Sequence, residues 1–202
     1  RVDALNDGGG RWSQHKDGSL RWTREIVAPG ALTLDFHFAQ LQLPTGAKLA
    51  IRGEGKGNER VIGAAELSGN GAYWSPYVLG ERATLELSVP AGARDKLVME
   101  LASATHGYRG LFERVGGLEK SGSCNVDTAC PAGDAWRDQI DSVGHYTFSQ
   151  GGSSYVCTGT LVGNTALNTT PYFLTANHCV STSTVASTIV VYWNYQSSTC
   201  RT

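Results

Sequence analysis

The sequence predicts an all-β protein, and three observations support this prediction. Short apolar stretches recur along residues 32–104 with the period of two that is typical of half-buried strands, as in Leu34, Phe36 and Phe38. Turns rich in Gly, Pro and Asn separate these stretches. None of the apolar stretches has the period of an amphipathic helix. Residues 121–202 contain further β-branched and aromatic runs. We therefore expect antiparallel sheets in both halves, with a β-sandwich or jelly-roll-like domain in the first half.

Alternation and intervening turns place the individual strands. Residues 1–20 are polar and contain three consecutive glycines, so we expect a loosely held arm there. In the first half, the predicted strands cover residues 32–38, 48–52, 72–78, 83–89 and 96–104. The glycine-rich, charged residues 109–123 are predicted to form an exposed connector. In the second half, the predicted strands cover residues 156–162, 171–176 and 188–195.

The composition changes abruptly near residue 120. All five lysines lie at or before Lys120, and all five cysteines lie after it. This change predicts a first domain over residues 1–120 and a second domain over residues 121–202. The formal net charge of −1 argues against a nucleic-acid partner. No apolar run approaches the roughly 20 residues of a membrane-spanning helix, so no membrane partner is expected.

Cysteine usage in the second domain indicates an oxidising compartment. The cysteines are spread among Ser, Thr and Gly without a C-x-x-C pair or clustered histidines, which favours disulfides over a zinc site. The sequence therefore predicts a secreted, extracellular protein without a metal site or cofactor. An odd number of cysteines leaves one thiol over, and a free thiol, an intermolecular bridge or a partner beyond Thr202 would each explain it.

The most informative motif is the run of residues 172–179, Tyr-Phe-Leu-Thr-Ala-Asn-His-Cys. Histidine suits general acid–base catalysis because it ordinarily titrates close to neutral pH. The small Ala176 lets the backbone approach closely, and Cys179 can tie the loop to Cys157 in the predicted strand 156–162. These features predict that His178 is a catalytic base. The alternative is a structural histidine that happens to precede a cysteine.

Residues 121–202 closely resemble the start of the mature domain of bacterial lysyl endopeptidases, which are secreted trypsin-like serine proteases of the chymotrypsin fold. The resemblance rests on the run 121–127, the Cys130-Pro131 and Gly133-Asp134 pairs, the run 174–179 and the run 189–196. Residues 21–113 resemble the propeptide of that family more weakly, through Trp74-x-Pro76 and the run 106–110. The resemblance therefore spans nearly the whole chain.

Several expectations follow from this resemblance alone. It implies a partial chymotrypsin-like β-barrel in the second domain, protein or peptide substrates for the full-length enzyme, and an intramolecular contact between propeptide and protease. It implies disulfides between Cys157 and Cys179 and between Cys130 and Cys200. It also pairs Cys124 with a cysteine that is not among these residues, so Cys124 is expected to be unpaired here.

The remaining catalytic groups are not found after His178. No Asp or Glu follows it, and none of the later serines lies in a glycine-rich nucleophile loop. Aspartates 127, 134, 138 and 141 all precede His178, whereas the chymotrypsin order places the acid after the base. We therefore expect the amino-terminal part of a protease precursor that is inactive as it stands.

The lysine distribution suggests how such a precursor would mature. A lysine-specific enzyme could cut between Lys120 and Ser121, inside the predicted connector. The rest of the chain contains no lysine and would resist further cutting. The sequence therefore predicts a processing site at Lys120–Ser121.

Two other functions remain open from the sequence. The first 120 residues could be a self-standing β-sandwich that inhibits a protease or helps it to fold. The chain could also be a protease-like binding protein without activity. Of the other histidines, His106 is expected to be structural, and His145 is expected in an exposed turn or at a strand end.

Overall fold

The computed structural model describes residues 2–3, 9–67, 71–108 and 125–200. The chain divides into two compact units, Arg1–Glu113 and Arg114–Thr202. Lys120, Ser121 and Cys124 lie outside the described residues, as does the predicted connector, so these predictions stay untested. In the part of the chain that is described, no helix is long and apolar enough to cross a membrane.

The first unit is built from antiparallel strands joined by short turns. The strands are β1 (Val2–Asp3), β2 (Arg11–Gln14), β3 (Leu20–Val27), β4 (Thr33–Gln42), β5 (Lys48–Arg52), β6 (Glu59–Gly63), β7 (Tyr73–Trp74), β8 (Val78–Leu79), β9 (Arg82–Val89) and β10 (Val98–Gly107). One sheet has the order β1-β10-β4-β7, with β8 also paired to β4, and the other has the order β2-β3-β9-β5-β6. Short 3₁₀ helices lie at Ala64–Glu66 and Arg94–Lys96.

The two sheets of the first unit share one hydrophobic core. Leu34, Phe36 and Phe38 of β4 are fully buried, and they belong to the same cluster as the buried Leu85 and Leu87 of β9. Full burial of side chains of this size contributes about 1.5–3 kcal/mol each to folding. The sandwich predicted from the period-two alternation is confirmed.

The outer face of the second sheet carries charged side chains where the period predicts polar ones. Glu86 of β9 accepts bonds from Arg21 of β3 and Arg52 of β5, with Nη1 of Arg52 at 2.8 Å. Burial opposes the charge of Glu86, but the hydrogen bonds and charges of the two arginines outweigh this effect and lower the pKa of the carboxyl group. Side chains therefore join three neighbouring strands in addition to the backbone ladder.

The loosely held arm predicted over residues 1–20 is wrong for part of that range. β2 pairs with β3 and places Trp12 opposite Trp22, which is fully buried. The guanidinium carbon of Arg94 lies 4.8 Å from the centre of the Trp12 ring, a cation–π contact. Because Trp12 is anchored in this way, a strand forms where the surrounding glycines and polar residues suggested none.

The single strand predicted over residues 72–78 is two short strands, β7 and β8. Between them, the N–H of Ser75 donates to the carbonyl of Phe36 at 2.9 Å, and Oγ of Ser75 accepts from the N–H of Phe36 at 2.9 Å. Pro76 has no N–H to continue the ladder. Pairing therefore resumes only at Val78. Strands β3 and β6 are missing from the predicted set because arginines interrupt their apolar alternation.

Asp35 of β4 is largely enclosed on the face of its sheet that points away from the core. Burial raises the pKa of Asp35 to about 6, although a hydrogen bond with Thr105 opposes this shift. In the unfolded chain, an aspartate has a pKa of about 3.9. Because the folded-state pKa is the higher one, this group stabilises the fold below about pH 4, and that stabilisation is lost as the pH rises through about 6.

We expect Asp35→Asn to raise the free energy of unfolding by about 2 kcal/mol near pH 7.5 and to change it little near pH 4. The amide stays neutral at both pH values, so the variant avoids the cost of a buried charge. Urea unfolding of the whole chain at the two pH values measures the effect. Asp95→Asn, at an exposed position, is the matched control and should show no such gain. An Asp35→Asn variant without a pH-dependent gain would contradict the expectation.

The second unit contains one antiparallel sheet in the order β13-β12-β11-β14. The strands are β11 (Val143–Gln150), β12 (Ser153–Val162), β13 (Tyr172–Leu174) and β14 (Val190–Trp193). The helical segments are a 3₁₀ helix at Pro131–Trp136, α1 (Arg137–Asp141) and α2 (Ser183–Ala186). Gly151 and Gly152 form the tight turn between β11 and β12, with φ angles of 60° and 81° that favour glycine.

The core of the second unit is small and lies on one face of this sheet. Buried Tyr146 and Phe148 of β11 pack with Cys179 and with Val185 of α2. The sheet is open, and apolar side chains such as Leu174, which is 60% exposed, remain in contact with solvent. The predicted all-β class, with a partial barrel in this unit, is confirmed.

Candidate active site

His178 lies on a tight turn that directly follows β13. The backbone N–H groups of Cys179 and Val180 both donate to the carbonyl of Ala176, at 3.0 and 3.2 Å. These two bonds close the turn around His178. His178 is exposed, whereas Cys179 beside it is only 6% exposed. The imidazole is therefore presented to solvent by a backbone that its buried neighbour holds in place.

A disulfide joins Cys179 to Cys157 of β12. A ring nitrogen of His178 and the two sulfur atoms all lie within 4.8 Å of one another. Such a group could suggest a zinc site, but the two sulfurs are bonded to each other and are not thiolates. The disulfide instead fixes the turn of His178 to the middle of the sheet. This is the pairing that the family resemblance implied.

Thr175 provides a second link between the turn and the sheet. Its hydroxyl group donates to the carbonyl of Thr158 on β12 at 3.2 Å. It also bonds to the phenol oxygen of Tyr146 on β11 at 2.7 Å, and because the threonine proton is used on Thr158, the phenol is the donor. Tyr146 is fully buried. The residue three positions before His178 is thus tied to two strands.

Gly159 explains why β12 and β13 can approach each other so closely. A Cβ atom at Gly159 would lie 2.4 Å from the ring of Phe173 and 2.9 Å from the carbonyl oxygen of Leu174. The Phe173 ring in turn meets the Tyr146 ring edge-on, with 5.6 Å between centroids. Gly159 is therefore needed for packing directly behind the turn of His178.

We expect Gly159→Ala to lower the free energy of unfolding of the second unit by about 2 kcal/mol, because the added methyl group forces the Phe173 ring or the strand to move. Gly163→Ala, one residue after the end of the same strand, is the control, since no atom lies within 4 Å of its Cβ position. This control should change stability by less than about 0.5 kcal/mol. Urea unfolding followed by tyrosine and tryptophan fluorescence measures both. Equal effects of the two variants would contradict the packing argument.

A second disulfide joins Cys130 to Cys200. It ties the segment before the 3₁₀ helix to the segment after β14. The hydroxyl of Thr128 also donates to the side-chain carbonyl of Gln196 at 3.1 Å, which strengthens the same connection. This is the other pairing that the resemblance implied.

Three aspartates of the second unit lie in or beside its first helical segments. Asp134 pairs with Arg137 at 2.6 Å, and Asp138 and Asp141 belong to α1. Among the described residues, no hydrogen bond or ion pair joins His178 to a carboxylate. The described residues therefore give none of these aspartates a contact with the imidazole.

Two other histidines have structural surroundings. Nε2 of His106 lies 3.3 Å from the carbonyl oxygen of Pro29. The expectation for His145 is wrong, because it lies inside β11, is partly buried and stacks on Tyr195 with 4.4 Å between ring centroids.

Tyr146 supports the site, although its role was not among the predictions from the sequence. The signal was present, because Gly144, Tyr146 and Phe148 alternate with polar residues as a half-buried strand requires. The small Gly144 breaks the apolar pattern at its start. Its Cβ position is occupied by side chains of β14, with Val191 at 2.4 Å, so only glycine fits there.

An open antiparallel sheet with a disulfide-tethered, histidine-bearing turn places the second unit in the class of trypsin-like folds. Comparison with known proteins agrees with this class. A family model described as "Lysyl endopeptidase N-terminal domain" matches residues 6–106, and one described as "Lysyl endopeptidase, C-terminal domain" matches residues 118–202. The chain belongs to the lysyl endopeptidase family.

One curated relative is similar along nearly the whole chain. A lysyl endopeptidase of Pseudomonas aeruginosa is 30% identical over 203 residues, a match that covers 94% of this chain. The chain spans 43% of that relative, which is less than half of its length. The family resemblance seen in the sequence motifs is thus confirmed.

Proposed function

We propose that these residues are the amino-terminal part of the precursor of a secreted serine endopeptidase that cleaves after lysine. In this proposal, residues 1–120 are the propeptide, residues 121–202 begin the protease domain, and His178 is the general base. The observation that carries it is the exposed imidazole of His178 on a turn fixed by the Cys157–Cys179 disulfide. Membership of the lysyl endopeptidase family supports the reaction class and the choice of lysine.

In the proposed reaction, His178 removes the proton from a serine hydroxyl as the serine oxygen attacks the carbonyl carbon of a lysyl residue. His178 then returns this proton to the leaving amine, and it activates a water molecule in the second half of the reaction. The turn described above suits this role because a base must keep its position while its protonation changes. The imidazole must also remain accessible to the substrate.

The serine, the acid that orients the imidazole and the oxyanion-hole donors are expected in the part of the protein beyond Thr202. Within the sequence given, no Asp or Glu follows His178. A base without a nucleophile or an oxyanion hole has nothing to activate. The 202-residue chain alone is therefore expected to give neither hydrolysis of a lysyl ester nor labelling by a serine-reactive fluorophosphonate.

Maturation is proposed to occur between Lys120 and Ser121. The supporting observation is the lysine distribution, since no lysine follows Lys120 in the sequence given. A protease domain without lysine would survive the activity of an enzyme that cleaves after lysine. Protein substrates and an intramolecular contact between propeptide and protease domain belong to the same proposal.

Expression of the complete reading frame tests this function. The expected product is recovered from the culture medium, begins at Ser121 and hydrolyses lysyl esters in preference to arginyl and leucyl esters. A different amino terminus would remove the Lys120–Ser121 site from the proposal. A folded complete protein without lysyl esterase activity would exclude the enzyme and favour a protease-like binding protein.

A second candidate function concerns the first unit alone, and its own hydrophobic core favours it. A β-sandwich that completes its core without the second unit could inhibit the mature protease or help it to fold. Long-range strand pairing makes β-barrels slow to fold, so such help has a physical basis. This role and the precursor role are compatible. If purified residues 1–120 stay unfolded and do not affect lysyl-ester hydrolysis by the mature enzyme, this second function is wrong.

A further inference from the structure

Lys56 lies at the tip of the loop between β5 and β6, with a glycine on each side. Residues Glu54, Gly55, Lys56 and Gly57 are all exposed. Gly55 and Gly57 have φ angles of 88° and 78°, and no atom lies within 4 Å of either Cβ position. Within the described residues, no hydrogen bond involves the backbone of Gly55, Lys56 or Gly57. The peptide bonds on both sides of Lys56 are therefore open to a protease.

The loop is held only at its base. The N–H of Gly53 donates to the carbonyl of Asn58 at 2.9 Å, and Nδ2 of Asn58 donates to the carbonyl of Glu54 at 2.7 Å. Nδ2 of Asn58 also donates to the carbonyl of Leu79 at 2.7 Å. These bonds fix the residues on either side of the tip and leave the Lys56–Gly57 bond free of them.

The strand that follows the loop can detach at low cost. β6 is at the edge of its sheet, pairs with β5 and contains one buried residue, Ile62. Proteases bind their substrates as an extended strand several residues long, so a folded loop must open before it is cut. Local opening is most frequent where a segment loses few apolar contacts and only the hydrogen bonds of an edge strand. Opening on the β6 side meets this condition.

Lys16 is also exposed in a hairpin turn, but hydrogen bonds constrain the turn that contains the Lys16–Asp17 peptide bond. The N–H of His15 donates to the carbonyl of Ser19 at 2.9 Å, and the N–H of Gly18 donates to the carbonyl of His15 at 3.0 Å. The carboxylate of Asp17 accepts from the N–H and the hydroxyl of Ser19, at 2.9 and 2.7 Å. The Lys16–Asp17 bond therefore lies inside a closed, hydrogen-bonded turn.

The other two lysines that the structure describes precede buried residues. Lys48 begins β5, which lies between β9 and β6, and is followed by the fully buried Leu49. Lys96 ends a 3₁₀ helix and is followed by Leu97, which is 8% exposed. Cutting after either lysine requires that a core residue leave the core.

We propose that Lys56–Gly57 is the first bond of the first unit that a lysine-specific protease cuts, and that removal of the propeptide begins there. The link to propeptide removal rests on the proposed function, whereas the order of cutting rests on the loop alone. In the cut, the C–N bond breaks as water supplies a hydroxyl group to the Lys56 carbonyl carbon and a proton to the Gly57 nitrogen. Ile51 and Ile62, both buried in the shared core, then belong to separate chains.

Limited digestion of the whole 202-residue protein with a separately purified lysine-specific endopeptidase tests the proposal. Mass spectrometry and amino-terminal sequencing follow the products over time. We expect Gly57 to be the first new amino terminus within residues 1–113. A first terminus at Asp17, Leu49 or Leu97 would overturn the proposal.

Two variants and one control sharpen this experiment. Lys56→Gln should slow the first cut in this unit by at least about tenfold, because the next site requires opening of hydrogen-bonded structure. Lys56→Arg keeps the charge and should resist the lysine-specific protease equally, while trypsin should still cut at the same bond early. Lys16→Gln is the matched control and should leave the first cut unchanged. If Lys16→Gln slows it as much as Lys56→Gln does, the proposal is wrong.

Failure of this site and failure of the proposed function give different results. If the added protease cuts first at Lys56 but the complete protein hydrolyses no lysyl ester, the proposed function fails and the order of cutting stands. If the complete protein is lysine-specific but the first cut falls elsewhere, only the Lys56 proposal fails.

Discussion

Replacement of His178 by alanine in the complete protein should lower kcat/KM for a lysyl ester by at least about a thousandfold. In the proposed mechanism, the serine hydroxyl of a protein without the imidazole keeps its proton while it attacks, and the leaving alcohol of the ester receives none. Because His178 is exposed, its loss removes little packing and should leave the folded structure intact. Ester hydrolysis together with urea unfolding therefore separates the loss of chemistry from a loss of folding.

Asn177→Ala is the matched control for this variant. Asn177 occupies the same turn and is also exposed, and the hydrogen bonds that close the turn come from Cys179 and Val180 instead. The control should keep kcat/KM within about threefold of the original protein. A His178→Ala protein that stays folded and retains more than about a tenth of its activity would refute the assignment of His178 as the base.

Removal of the Cys157–Cys179 disulfide by a double Cys→Ala replacement should lower the free energy of unfolding by about 3 kcal/mol. The bridge closes a loop with a sequence separation of 22, so its loss gives the unfolded chain more freedom. It should also lower kcat/KM for the folded protein, because the turn of His178 then depends on Thr175 and on backbone bonds alone. Urea unfolding of the complete protein measures the first effect, and ester hydrolysis under native conditions measures the second.

Removal of the Cys130–Cys200 bridge is the control that tests whether the effect on kcat/KM depends on the location of the disulfide. The sequence separation of this bridge is 70, so its removal should lower the free energy of unfolding by about 4 kcal/mol. This loss is at least as large as the loss expected for the Cys157–Cys179 bridge. The Cys130–Cys200 bridge is attached neither to the turn of His178 nor to β12, since it joins Cys130 before the 3₁₀ helix to Cys200 after β14, and the folded protein should therefore keep its kcat/KM. If both double replacements reduced kcat/KM equally, the Cys157–Cys179 bridge would have no special part in positioning His178.

Regular alternation was sufficient to predict the strands that form the core of the first unit. β5 was predicted at its observed bounds, and the predicted strand 83–89 differs from β9 by one residue. In both strands, every second side chain is apolar and buried. β2 and β6 could not be recognised in this way, because they lie at the edge of their sheet and bury few side chains. Their positions depend on pairing with neighbours, which local sequence does not encode.

The candidate site was predictable only where its residues are close in sequence. The run 174–179 identifies the turn and its histidine, and the family resemblance implies the disulfide between Cys157 and Cys179. The support from Tyr146 was not predictable, because it requires β11 to pair with β12 so that Tyr146 lies opposite Cys157. That register depends on contacts between residues far apart in the chain. Sequence therefore indicated the catalytic candidate but not the side chains that hold it.

The core shared by the two sheets of the first unit determines how this unit unfolds. Strands β4, β5 and β9 each bury several side chains in this one cluster, so none of these three can leave for long without exposing residues of the others. Unfolding of such a unit is expected to be cooperative and all-or-none. Any restraint that the unit places on a protease would then end abruptly in each molecule. A maturing population would contain fully restrained and fully released molecules, with few intermediate ones.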